Sequence, residues 1–215
     1  MKKFQVLDKN DIKSIRKILR PADWRDGKDS ATGNAKNKKE NFQLTMQDPL
    51  FKEVLPFIQR VHEIPLVKAY TNIKGLLDPR VALYQKGGKY GWHVDATFIS
   101  NNRTDLSFTI CLNEPEEYEG GELNLEIPGA NVSFKGRAGE MIVYPSGLNH
   151  QVTPVTAGER LVAIGWLSSH VKQEESRQRL WDLRKLLHDF VVKHGNTEEA
   201  ETLTRLYHQL TRDFS

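Results

Sequence analysis

Cysteine is nearly absent from this 215-residue chain, Cys111 being the only one. One thiol cannot close an intrachain disulfide, so the fold must rest on its core, and a cytosolic or otherwise reducing compartment is the expectation. Charge of one sign is scarce as well: 31 Lys and Arg stand against 28 Asp and Glu, a net charge of +3. So small an excess gives no reason to expect nucleic acid as a partner. Long apolar runs are missing, which argues against a membrane-spanning helix, and Met1-Lys-Lys before Phe4-Gln-Val-Leu7 lacks a signal-peptide pattern. Neither a phosphate-binding Walker loop nor a dinucleotide fingerprint occurs, and no internal repeat stands out. What is present is ordinary for a soluble protein, 38% hydrophobic and 27% charged. That is enough for one substantial core with helical additions.

Against this plain background one stretch carries chemistry, Tyr84-Gln-Lys-Gly-Gly-Lys-Tyr-Gly-Trp-His93-Val-Asp95-Ala-Thr-Phe98. Its neighbours favour β-structure, and on an extended strand His93 and Asp95, two residues apart, project from one face. An imidazole and a carboxylate so placed can chelate a metal. A third ligand is needed to hold a divalent ion well. His150 is the best candidate, since it follows the apolar run Met141–Tyr144 and the turn Pro145-Ser-Gly147, where a strand-edge histidine can face a cavity. Two imidazoles and one carboxylate make the facial triad of non-haem Fe(II) oxygenases, although the same three groups could hold Zn²⁺ with a hydrolytic water.

Ten residues further on, Arg160 heads the run Arg160-Leu-Val-Ala-Ile-Gly-Trp166, which reads as a buried strand. A guanidinium there would be costly to bury without an anion, and the distal carboxylate of 2-oxoglutarate is a natural partner. A zinc hydrolase needs no such clamp, so Arg160 favours iron.

This ordered set, with Tyr84 ahead of it and Glu119-Gly-Gly-Glu-Leu123 inside it, resembles the Fe(II)/2-oxoglutarate-dependent dioxygenases with a prolyl/lysyl-hydroxylase-type domain. Within them it is most similar to the PKHD-type, prolyl 4-hydroxylase-like enzymes of bacteria and phages. Trp24-Arg-Asp-Gly27, Lys36-Asn37, Asn41-Phe-Gln-Leu44 and Leu206-Tyr-His-Gln-Leu210 extend the likeness over nearly the whole chain. The resemblance implies Fe(II) on His93, Asp95 and His150, 2-oxoglutarate on Arg160 and the Tyr84 hydroxyl, and O₂ as second co-substrate. It implies hydroxylation of a C–H bond, most plausibly in a prolyl residue of a peptide or protein, with succinate and CO₂ as co-products. L-ascorbate is a further expected cofactor on the same ground. In some related hydroxylases a co-substrate-binding tyrosine stands where this chain has Cys111.

Read in order, Asp8 or Asn10 caps a helix with Ile12, Ile15, Ile18 and Leu19 on one face, and Asp48-Pro49 starts a second. Residues 22–41 read as a long loop or a pair of short strands, with Lys36, Lys38 and Lys39 on a solvated face. From Leu66 to Ser168 short β-runs alternate with Gly, Pro, Asn and Asp, the pattern of an antiparallel sandwich or barrel. With the resemblance this predicts a mainly β fold with flanking helices around a double-stranded β-helix, or jelly-roll, core. The expected division is 1–65 as helices and loop bracing the core, 66–169 as the dioxygenase core, and 170–215 as a helical hairpin. That hairpin leaves a homodimer open. The competing functional readings are a hydroxylase of a small molecule or iron-related metabolite, and a non-catalytic 2-oxoglutarate or iron sensor.

Overall fold

The computed structural model describes residues 1–30 and 33–215, so residues 31 and 32 of the 22–41 segment lie outside the described residues. The chain opens with strand β1 (Lys2–Gln5) and helix α1 (Lys9–Leu19). It passes through short strands β2 (Arg25–Asp26), β3 (Lys39–Glu40) and β4 (Phe42–Leu44) to helices α2 (Pro49–Gln59) and α3 (Pro65–Thr71). Then come β5 (Ile73–Tyr84), β6 (Lys89–His93), β7 (Phe98–Ile99), β8 (Asn102–Arg103), β9 (Leu106–Cys111), β10 (Tyr118–Gly120), β11 (Leu123–Ile127) and β12 (Ala130–Phe134). Strands β13 (Glu140–Pro145), β14 (His150–Val152), β15 (Val155–Gly158) and β16 (Arg160–Ser169) precede helices α4 (Glu174–His194) and α5 (Glu198–Phe214).

Two antiparallel sheets make the core, a larger one in the order β1-β13-β9-β16-β5-β4-β2 and a smaller one in the order β12-β11-β14-β6-β3. Side chains alternate across each strand, so the larger sheet has two buried faces. One carries Val81, Phe108, Ile110, Met141, Val143 and Ala163 against Ile12 and Ile15 of α1 and Phe51, Val54 and Ile58 of α2. The other carries Ala82, Tyr84, Cys111, Ile142, Tyr144 and Val162, and meets Leu123, Leu125, Phe134 and Val152 of the smaller sheet. Because both faces are covered, all six residues of β9 are buried. This is the expected mainly β, jelly-roll arrangement with flanking helices.

Local chemistry explains most boundaries. The Asp8 carboxylate accepts the backbone N–H groups of Asn10 and Asp11, each at 2.8 Å, while the Asp11 carboxylate accepts the Asp8 N–H at 3.0 Å. This reciprocal cap fixes the start of α1. Asp48, which precedes α2 with Pro49 as expected, makes no capping bond. It accepts the Thr45 N–H at 2.8 Å and pairs with Arg25 at 2.7 Å, so Pro49 alone, needing no N–H partner, opens the helix. Gly120 and Gly121, at φ +69° and +67°, lie where the register of β10 shifts against β15.

Two departures bear on the site. The run Trp92–Phe98 was expected as one strand, but β6 ends at His93, and Asp95 lies in the irregular segment that follows. Short strands β1, β2 and β4 extend the larger sheet from within the first 65 residues; β2 and β3 fall in the segment 22–41, read as a long loop or a pair of short strands, whereas β1 and β4 were not legible. Strands of two to four residues are too short to show a period.

Candidate active site

His93 and His150 are directly opposite each other across the β6–β14 pair, at the ends of their strands. Their rings lie 4.2 Å apart, centre to centre. Each ring uses Nδ1 on the backbone carbonyl two residues earlier, Gly91 at 2.8 Å for His93 and Leu148 at 2.9 Å for His150. With Nδ1–H donating there, Nε2 of each ring keeps its lone pair for the space between them. Asp95 reaches the same space, Oδ1 at 3.9 Å from His93 Nε2 and Oδ2 at 3.7 Å from His150 Nε2. One ligand atom from each residue falls within 4.8 Å of the others, so the trio could hold a metal ion.

The Asp95 segment is tied down at two points. Ser107 on β9 donates its hydroxyl to Asp95 Oδ2 at 2.5 Å, and the Thr104 hydroxyl donates to the Ala96 carbonyl. Leaving the strand at His93 thus lets the carboxylate swing towards the larger sheet, where a polar anchor meets it. Burial, with the neighbouring His150, pushes the His93 imidazole down to about 4. A neutral, buried imidazole is the form that binds a metal.

A cavity of about 240 Å³ surrounds the trio and extends to Arg160, Tyr84, Tyr144, Lys39, Arg80 and Trp166. Arg160 opens β16 directly opposite Tyr84 on β5, with its guanidinium carbon 5.0 Å from the tyrosine ring centre. Arg160 is 3% exposed, and its Nη1 has no hydrogen-bond acceptor. A buried guanidinium nitrogen left without an acceptor is costly, and a carboxylate entering the cavity would satisfy it. Burial raises the Tyr84 phenol, with Arg160 opposing, so the hydroxyl stays protonated and able to donate. The residues present therefore fit Fe(II) with a dicarboxylate co-substrate: a two-imidazole, one-carboxylate donor set beside an unsatisfied cation.

Known proteins lead to the same chemistry. The 2OG-Fe(II) oxygenase superfamily matches residues 79–168, which hold all five of these residues. A PKHD-type hydroxylase of Prochlorococcus marinus (strain MIT 9215) is 36% identical over 211 residues, covering 97% of this chain and 96% of the relative. This chain belongs to the PKHD-type hydroxylases. A PKHD-type hydroxylase from Aliarcobacter butzleri (strain RM4018) is 35% identical over 98% of this chain and 96% of its own length. Among solved structures, a Pseudomonas putida prolyl-4-hydroxylase shares the fold at a TM-score of 0.56 and 20% identity, over 79% of this chain and 92% of that one. As a PKHD-type hydroxylase the chain is a 2-oxoglutarate-dependent dioxygenase, and its family implies Fe(II), 2-oxoglutarate and O₂.

In this PKHD-type hydroxylase the five residues singled out in the sequence border one cavity. The structure adds others. Ser107 and Thr109 are polar positions at a spacing of two in a fully buried strand, a signal that could have marked them. Tyr144, among buried apolar neighbours on β13, sets its ring edge-on to His150 at 5.2 Å. Tyr90 stacks on His93 at 3.6 Å, whereas Trp92, in the segment where the β6–β14 register shifts, lies outside the cavity lining.

Lys39, read as part of a solvated face, is 3% exposed. It sits opposite Tyr90 in the β3–β6 pair, and alternation turns it inward while Glu40 faces solvent. Burial, then the charge of Arg80, brings its ammonium down to about 7. Cys111 is buried on β9 outside the cavity lining, its thiol raised by burial. No helix among the described residues is long and apolar enough to cross a membrane.

Proposed function

We propose that this dioxygenase hydroxylates a prolyl residue of a peptide or protein, with His93, Asp95 and His150 as its Fe(II) ligands and Arg160 and Tyr84 as its 2-oxoglutarate holders. The observation that carries this is the convergence of His93, Asp95 and His150 beside the unsatisfied Nη1 of Arg160. When bound, the iron supplies oxidative decarboxylation of 2-oxoglutarate to succinate and CO₂, coupled to insertion of one oxygen atom of O₂ into a substrate C–H bond.

The chain's own residues set the geometry. Gly91 and Leu148 fix the tautomers of the two histidines, so both Nε2 atoms face inward. Ser107 holds Asp95 from the larger sheet. Arg160 offers charge-assisted hydrogen bonds to the distal carboxylate, and the Tyr84 hydroxyl adds a neutral donor. Tyr90 and Tyr144 cover the histidine rings and keep water from the ligands. The prolyl substrate is supported by the PKHD-type relatives and by the prolyl-4-hydroxylase among the structural neighbours. L-ascorbate, which would keep the iron reduced between turnovers, belongs to this proposal by family likeness, as does the division at residues 65 and 169.

The test is anaerobic loading with Fe(II) and 2-oxoglutarate, monitored by the weak visible charge-transfer band, followed by O₂ and assays for succinate and hydroxyproline. Band, succinate and prolyl-dependent hydroxyproline are expected. Succinate coupled only to a small-molecule acceptor would replace the prolyl assignment, and a band without succinate would point to a sensor.

A further inference from the structure

The segment Glu119-Gly-Gly-Glu-Leu123 contributes only Leu123 to the cavity lining, yet it borders Arg160 directly. Gly121 stands at φ +67°, and a Cβ there would lie 3.0 Å from Cδ of Arg160 and 3.1 Å from Cε2 of Tyr118. Both distances are shorter than ordinary van der Waals contact. The side chain that glycine lacks would therefore fill the space in which the Arg160 stem and the Tyr118 ring come together.

Tyr118 is itself held firmly. It opens β10, opposite Gly158 of β15, and is 5% exposed. Lys135 donates to its backbone carbonyl at 2.7 Å and sets its ammonium 4.2 Å from the ring centre. A phenol so enclosed needs a partner for its oxygen. Burial raises the Tyr118 phenol, while the charge of Arg160 and a hydrogen bond from its guanidinium act in the other direction. The guanidinium thus meets two phenols, that of Tyr118 and that of Tyr84, whose ring centre is 5.0 Å from its carbon.

Of the two, Tyr84 borders the cavity and Tyr118 does not. A carboxylate bound at Nη1 of Arg160 is therefore met by Tyr84, whereas any influence of Tyr118 passes through the guanidinium. A long arginine side chain loses rotamer freedom when it engages a ligand, and anchoring it beforehand removes that cost from the binding step. The anchor must leave one nitrogen open, and Nη1 is the nitrogen without an acceptor.

We propose that Tyr118 is a positioning residue for 2-oxoglutarate, holding the Arg160 guanidinium from outside the cavity so that Nη1 is presented to the co-substrate. This rests on the reading of Arg160 as a 2-oxoglutarate holder.

The experiment is an anaerobic titration of the Fe(II)-loaded protein with 2-oxoglutarate, followed by the charge-transfer band, on wild type, Tyr118→Phe, Arg160→Leu and the double variant. Phenylalanine keeps the buried ring and removes only the oxygen. Tyr118→Phe should weaken 2-oxoglutarate binding about tenfold, the scale of one hydrogen bond to a charged group, and leave the affinity for Fe(II) alone unchanged. The double variant should bind 2-oxoglutarate no more weakly than Arg160→Leu, because the phenol then has nothing to hold. Unchanged affinity in Tyr118→Phe, with a large loss in Arg160→Leu, would overturn the positioning role and leave the Arg160 reading standing. Losses that add in the double variant, or a fall in Fe(II) affinity in Tyr118→Phe, would assign Tyr118 to the packing of the fold and overturn the role as well. Unchanged affinity in Arg160→Leu would overturn both.

Discussion

His93 and His150 stand on the smaller sheet, at the paired ends of β6 and β14, whereas Tyr84, Ser107, Tyr144 and Arg160 all rise from the larger one. The larger sheet is backed by α1, α2 and α3, and its central strands are buried on both faces. The smaller sheet is thinner, and β12 at its edge leaves Ala130, Asn131 and Ser133 exposed. The groups proposed to hold 2-oxoglutarate thus grow from the wall with the deeper packing. The two imidazoles proposed to hold the metal grow from the thinner wall. Asp95 belongs to neither strand and joins the two walls through Ser107.

That division makes separable predictions. The largest effect is expected from His93→Ala or His150→Ala, which should remove both the charge-transfer band and succinate formation. Retention of the band in either variant would mean that the smaller sheet does not hold the metal. Arg160→Leu should leave binding of the metal alone intact but raise KM for 2-oxoglutarate by about two orders of magnitude, as for truncating a buried charge pair. Loss of metal binding as well would show that the walls are not independent.

Backbone changes probe the same contrast in stability. A Cβ on Gly139, at φ +86°, would meet the Leu7 carbonyl oxygen at 2.1 Å beside the larger sheet. Gly129, at φ +78° in the β11–β12 hairpin, has nothing within 4 Å. Gly139→Ala should therefore cost on the order of 3 kcal/mol and Gly129→Ala only about 1 kcal/mol, by chemical denaturation. Equal costs would contradict the claim that the larger sheet packs more tightly at its turns.

Ser107→Ala cuts the link between the walls, and metal affinity should fall about 10-fold to 100-fold, as for other groups that orient a ligand. An unchanged affinity would show that Asp95 needs no anchor. Smallest of all, Tyr84→Phe should raise KM for 2-oxoglutarate about 2-fold to 10-fold, the scale of one neutral hydrogen bond.

How much of this could be read beforehand depends on how far each signal travels along the chain. His93, Asp95, His150 and Arg160, which border one cavity, were legible as a set because their order along the chain is informative where each residue type alone is not. An antiparallel sandwich or barrel was legible from short strands at close spacing, and the family resemblance narrowed it to a jelly-roll. Lys39 was not, because three nearby lysines in a polar stretch look solvated until β3 pairs with β6 and alternation turns one inward. Nor was the Asp95 excursion: two residues of spacing fit a strand equally well, and only the hydroxyl of Ser107, twelve residues away, selects the loop. Arg80 and Trp166 escaped notice because their meeting depends on the β5–β16 register, which is a long-range property.

The pairing of His93 with His150 has one more consequence. Side chains alternate along a strand, so slipping β14 by a single residue against β6 would bring Gln151 to the rung and turn the imidazole of His150 to the other side. The turn between Pro145 and His150 therefore acts as a ruler. Removing one residue from it is expected to silence the enzyme while leaving every proposed ligand in the sequence, and a screen that scores only the identity of functional side chains would miss the lesion.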